Sequence, residues 1–116
     1  MSERLLRINE SIREVLGETI SDLNDPRIGF VTITNVRTAR DLKNAKVFFS
    51  VLGDQDVRDS TLRALRSSHG MLQREVARQV KLRSTPQLHF EYDDTLDTAI
   101  RIQELLSDNP VTPETE

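Results

Sequence analysis

Leu5, Ile8, Ile12, Val15, Leu16, Ile20 and Leu23 recur at intervals of one, three and four, while Arg7, Glu10, Arg13 and Glu14 fall between them. A 3.6-residue repeat gathers the first set on one side of a helix and leaves the second on the others. Ser2 supplies an N-cap and Asp25-Pro26 a stop, because the residue before a proline is pushed out of the α region; the pattern predicts a helix over Glu3–Leu23. Phe30–Val36 and Ala45–Leu52 are rich in β-branched and aromatic residues and read as two strands, joined by a linker, Arg37–Asn44, that suits an antiparallel hairpin. Gly53-Asp54 breaks the strand pattern, Asp54 or Asp56 provides a cap, and Val57, Leu62 and Leu65 resume helical spacing. Met71, Leu72, Val76 and Val80 carry that spacing past Gly70, where a glycine costing about 1 kcal/mol inside a helix marks an expected kink. After Thr85-Pro86, Leu88, Phe90 and Tyr92 alternate with Gln87, His89 and Glu91, as in a strand with one buried face. Leu96, Ile100 and Leu105 suggest a short last helix, and Asn109-Pro110-Val111-Thr112-Pro113 with its acidic end reads as a disordered tail.

The predicted order, α-β-β-α-kink-α-β and a weak helix, gives an α+β fold with helices packed on one face of a three-stranded sheet, the helical segment between strands two and three serving as the crossover. One domain over 1–106 and a tail over 107–116 are expected from 116 residues, of which 36% are hydrophobic. All four phenylalanines, Phe30, Phe48, Phe49 and Phe90, are assigned to the core rather than to stacking platforms.

Charge changes the picture, because the formal net of -3 hides its distribution. Basic and acidic residues number eight and nine through Val57, seven and two from Arg58 to Arg83, and one and eight from Ser84 on. A basic middle beside an acidic end points to a functional positive surface, with ordinary surface charge as the plainer alternative. With the helix projected across the kink, Arg63, Arg66, Gly70, Arg74, Arg78 and Lys81 step by three or four along one face, opposite Leu62, Leu65, Leu72, Val76 and Val80. Arg83 extends this ridge, and Glu75 is the only acid between Arg63 and Arg83. Two readings stand: cations and kink-exposed N–H groups presented to phosphates, or a solvated helix face. Arg4 and Arg7 are secondary phosphate candidates.

Other chemistries lack their residues. There is no cysteine, hence no disulfide or thiolate metal site, and His69 and His89 sit on separate elements, so no metal is expected. Asp93, Asp94 and Asp97 lack calcium-loop spacing and read as solvated turn residues. Glycines at 17, 29, 53 and 70 spell neither phosphate-loop pattern. Ser68 and His69 are adjacent in a helix, where neighbours do not face each other, so no catalytic site, cofactor or small-molecule substrate is expected. No apolar run reaches the roughly 20 residues of a membrane span, and a cytoplasmic monomer is expected.

Asp25-Pro26-Arg27-Ile28-Gly29-Phe30-Val31-Thr32-Ile33-Thr34 resembles the segment that opens the first strand in the ribosome-binding factor A family. Asp41-Leu42-Lys43-Asn44-Ala45-Lys46-Val47, Leu82-Arg83-Ser84-Thr85-Pro86-Gln87-Leu88, and Asp93-Asp94-Thr95 with Ile100-Arg101-Ile102 are similar to further signatures of that family, in the same order. The resemblance covers roughly Arg4 to Leu106. It implies a type II KH-like domain whose inter-helix glycine loop is replaced by an alanine-x-glycine kink, here Ser68-His69-Gly70, with serine where the family usually has alanine. It further implies a factor that binds the immature small (30S) ribosomal subunit through its 16S ribosomal RNA and assists late maturation and rRNA processing, including in the cold. Joined to the ridge, the resemblance gives an RNA-binding set of Arg63, Arg66, Ser68, His69, Gly70, Arg74, Arg78, Lys81 and Arg83, without base-specific readout. The alternative is a protein-interaction or dimerisation module using a sheet edge or helix groove.

Overall fold

The computed structural model describes residues 2–107; of the predicted tail over 107–116, Ser107 ends the last helix and the rest lies outside the described residues. Helix α1 spans Glu3–Asp22, opened by Ser2, whose Oγ accepts the Leu5 N–H at 3.1 Å, and it buries Ile8, Ile12, Val15, Leu16 and Ile20. Strands β1 (Val31–Thr38) and β2 (Asn44–Val51) form the expected antiparallel hairpin, Val31 opposite Val51 and Thr38 opposite Ala45. The turn is tighter than the sequence suggests because both strands extend into the linker. Leu42 takes φ 62°, a left-handed conformation costly for a side chain with a Cβ, while packing that side chain against the core.

Helix α2 (Gln55–Ser67) starts at Asp54, whose carboxylate accepts the Val57 N–H at 3.1 Å. Gly53 before it has φ 143°, and a Cβ there would lie 2.8 Å from Val57, so this turn requires glycine. Helix α3 (His69–Gln79) follows, and the chain returns as β3 (Gln87–Tyr92), parallel to β2 with Asn44 opposite Gln87 and Phe49 opposite Tyr92. The sheet order is β1-β2-β3. Ile33, Val36, Val47, Phe49, Leu88 and Phe90 face a single helical layer that contributes Ile12, Leu16, Leu65, Leu72 and Val76. Burying the larger of these side chains is worth about 1.5–3 kcal/mol each, enough to make this layer the main source of stability.

Three expectations are corrected. Phe30 lies outside β1 and is 82% exposed, and Phe48 is only half buried. Strand alternation explains Phe48, since Val47 and Phe49 point inward and the residue between them takes the opposite phase, while Phe30 falls in the bend before β1. A register shift between Ile33 and Asn35 then lets Val36 return to the core. The position of the kink is the second correction: the break falls at Ser68, inside the Ser68-His69-Gly70 stretch that the resemblance implies but two residues before the Gly70 that helix propensity marks. Helix α4 (Thr95–Ser107) is the last helix that the sequence suggests, with Leu96, Ile100, Ile102, Leu105 and Leu106 between 48% and 69% exposed. Asp93 opens it, accepting the Thr95 N–H at 2.9 Å, and Asp97 pairs with Arg58 at 2.9 Å. These two acids, bonded in place rather than solvated in a turn, are the third correction. No described helix is long and apolar enough to cross a membrane.

Candidate nucleic-acid interface

The corner between α2 and α3 is one residue, Ser68, with φ -93° and ψ 6°. Its N–H reaches back to the carbonyls of Ala64 and Arg66, and its own carbonyl accepts the Leu72 N–H at 3.0 Å. The carbonyl end of one helix therefore meets the amide end of the next at a half-buried serine. The break precedes Gly70, where the sequence places it. Gly70 is the second residue of α3, and Gly53 is the glycine with positive φ among the described residues. The Ser68 side chain makes no cap bond to α3, so the first amides of that helix lack a side-chain acceptor.

Arg63 and Arg66 on α2, and Gly70, Arg74 and Arg78 on α3, are all exposed, opposite buried Leu65, Leu72 and Val76. The ridge thus continues across the corner. Arg74 bends back along it, since a Cβ on Gly70 would lie 3.6 Å from its guanidinium. Arg78 is bound to Glu75, which also accepts a hydrogen bond from Gln79 at 2.6 Å. These bonds hold the Glu75 carboxyl below its usual range and raise the Arg78 guanidinium above its own, so the pair presents little net charge. Lys81 lies beyond α3 with its ammonium donating to the Arg78 carbonyl at 3.1 Å, and Arg83 is exposed in the segment leading to β3. Arg63, Arg66, Arg74 and Arg83 form no ion pair among the described residues. Of the secondary candidates, Arg7 is paired with Glu3 at 3.1 Å.

His69 points elsewhere than the ridge. Its Nε2 lies 3.0 Å from the Leu88 carbonyl and 3.1 Å from the Gln87 side-chain nitrogen, and its ring meets Phe90 edge-on. With Arg66, Gln87 and His89 it lines an open groove between the corner and β3. The bottom of α3 is fastened to the same strand by Gln73, whose amide donates to the Pro86 carbonyl at 2.7 Å and accepts the Leu88 N–H at 3.1 Å.

Arg27 is a residue that sequence reasoning left out of the site. Its guanidinium joins Asp25 at 2.7 Å and Ser67, the last residue of α2, at 3.0 Å, while Ser60 donates to its carbonyl at 3.3 Å. Asp25 is held down to about 2, first by the Arg27 side chain and then by the Arg27 N–H. The loop before β1 is thereby strapped to the helix that ends at the corner. The available signal was the cluster Asp25-Pro26-Arg27 itself; its partner, 40 residues away, carries no local mark.

An α-β-β-α-α-β order, a parallel β2–β3 pair and a one-residue corner between two helices on one sheet face together define a type II KH-like domain. The family model for ribosome-binding factor A matches residues 4–106, and the chain belongs to that family. It is 39% identical over 109 residues to ribosome-binding factor A of Geobacter sulfurreducens, covering 93% of this chain and 92% of that one. The crystal structure of ribosome-binding factor A from Thermus thermophilus matches with a TM-score of 0.69 at 27% identity, over 76% of this chain and 94% of its own. A solution structure from Thermotoga maritima, described as a putative ribosome binding factor A, matches at 0.71 and 28%, over 78% and 88%. A homology model of the Thermus thermophilus protein, fitted into a cryo-EM map of a 30S complex, matches at 0.63 and 28%, over 73% and 90%.

Proposed function

We propose that this chain binds the immature small ribosomal subunit through its 16S ribosomal RNA and assists late maturation and rRNA processing, including in the cold. The observation that carries the reading is the continuous exposed ridge Arg63-Arg66-Gly70-Arg74 across an uncapped helix corner, in a family whose Thermus member was fitted into a 30S complex. Unpaired guanidinium groups release counterions from phosphates, and the uncapped amides of α3 add donors beside them. Arg83 continues the surface, Ser68 shapes the corner, and Arg78, Lys81 and His69 contribute after exchanging their present partners. The role is one of binding, in the cytoplasm, by a monomer, without cofactor or small-molecule substrate.

Co-sedimentation with purified immature small subunits tests it. Wild-type protein should travel with the subunits at low salt and leave them at high salt, and Arg66→Gln with Arg74→Gln should abolish co-migration while circular dichroism stays unchanged. Wild-type migration by that variant would remove the ridge as the contact. A protein-interaction module is the second reading, favoured by the exposed apolar side chains of α4; it predicts that α4 variants, not ridge variants, lose binding.

A further inference from the structure

The face of the sheet turned away from the helices carries a feature that neither the ridge nor the core uses. Arg37, Lys46 and His89 are directly opposite one another across β1, β2 and β3, and all three are exposed. Arg37 and Lys46 set like charges directly opposite each other, which destabilises a sheet, while His89 Nε2 lies 2.8 Å from Asn44 Oδ1. Arg37 has no ion pair among the described residues; its guanidinium lies 5.8 Å from the ring centroid of Phe48, in the neighbouring row. Phe48 is the one apolar side chain that the strands place on this face, half buried while its neighbours Val47 and Phe49 are fully so. Phe30, in the bend before β1, lies beside Ile20 and Leu23 at the end of α1 and is not part of this face. Two acids temper the charge: Glu91, 3.7 Å from Lys46, and Asp93, which is held by Thr34 and Thr95.

We infer that this open face is a second RNA surface, taking a single-stranded segment whose phosphates lie along the Arg37-Lys46-His89 row and one of whose bases stacks on Phe48. Unpaired bases stack on exposed aromatic rings whatever their sequence, while cations beside the rings hold the backbone. An apolar protein partner would find no aliphatic side chain from the strands, and a duplex would leave the Phe48 ring unused. The inference rests on the chain being RNA-binding, but not on the α2–α3 ridge being the contact.

The test is fluorescence anisotropy with a labelled single-stranded uridine oligonucleotide, with amide shifts of the full chain recorded during titration. Shifts are expected at Lys46, Phe48 and His89. Phe48→Leu should weaken binding by about fivefold or more, the loss of one stacked base. Arg37→Gln with Lys46→Gln should lower the log-log salt slope by about 1.4, two single-strand phosphates. Glu91→Gln, which removes an acid and touches no core residue, should tighten binding. Wild-type affinity in all of these, or shifts confined to α2 and α3, would overturn the inference even if the protein still co-sediments with small subunits; loss of that co-sedimentation in wild-type protein would instead sink the ribosomal reading. Displacement of the oligonucleotide by poly-glutamate at equal strength, with Phe48→Leu silent, would overturn it in favour of an acidic peptide.

Discussion

Gly70→Ala puts a methyl group on the exposed ridge in the first turn of α3, and the structure fixes what that methyl meets. Gly70 does not use positive φ, and the one atom near the new Cβ is a guanidinium nitrogen of Arg74 at 3.6 Å, an ordinary van der Waals contact at the end of a flexible side chain. Nothing in the fold resists the substitution. Alanine therefore stabilises, by about 0.4–1 kcal/mol through the lower entropy of its unfolded chain. For a domain of this size that is a rise of roughly 2–8 °C in melting temperature. The helix corner stays where it is, because Ser68 makes it, so the arginines are not re-aimed. Binding changes by another route: where RNA backbone passes over the uncapped corner, the methyl removes that approach, at a cost on the order of tenfold in affinity. Thermal denaturation followed by circular dichroism and co-sedimentation with small subunits measure the two effects separately. A melting temperature lowered by several degrees would show that Gly70 is not helical, and unchanged subunit affinity would show that RNA does not cross the corner.

Other residues give sharper contrasts. Arg74→Gln should weaken subunit binding and flatten its salt dependence more than Arg78→Gln does, because Arg78 must first leave Glu75; equal losses in the two variants would contradict this. Gln73→Ala strips two hydrogen bonds between α3 and β3 and should cost about 1–3 kcal/mol in urea denaturation, while a loss under about 0.5 kcal/mol would mean that water replaces both. Phe30→Ser should leave stability within about 0.5 kcal/mol, since the ring is 82% exposed; a loss of 2 kcal/mol or more would place it back in the core. Asp25 has a folded value near 2, below its ordinary 3.8, so its clasp on Arg27 stabilises fully above the ordinary value and is lost as pH falls through about 2. The Arg27 amide shift should titrate with that midpoint, and a midpoint near 4 would deny the clasp.

Patterns with a short period were readable from the chain, and contacts between distant elements were not. The apolar repeat of α1 and the alternation Leu88-Phe90-Tyr92 placed those elements within a residue or two, because each depends on one buried face. Phe30 misled: residue type argues for burial, but the residue falls in the bend before β1, where its ring is left exposed. Gly70 misled similarly, since propensity marks a weak point in a helix, whereas the break falls at Ser68, whose backbone bonds run to both helices. The cationic line Arg63-Arg66-Arg74 was visible as spacing. That Arg78 is neutralised by Glu75, three residues before it, was equally local and could have been read from the pair. The Arg27–Ser67 strap and the Gln73 clamp join residues that no periodicity connects.

The parallel pairing of β3 on β2 has a consequence for synthesis. The β2 segment Ala45-Lys46-Val47-Phe48-Phe49-Ser50-Val51 leaves the ribosome with one edge paired in the hairpin and the other bare, and 35 residues, 52 to 86, must follow before its second partner begins. At about 5–20 residues per second that is roughly 2–7 s during which an aromatic, β-branched edge stands open to the same edge on a neighbouring nascent chain. Its charge in that interval is Lys46 alone. The side chain that leads the proposed RNA row on the finished protein is thus also the one that guards the unfinished strand against self-pairing.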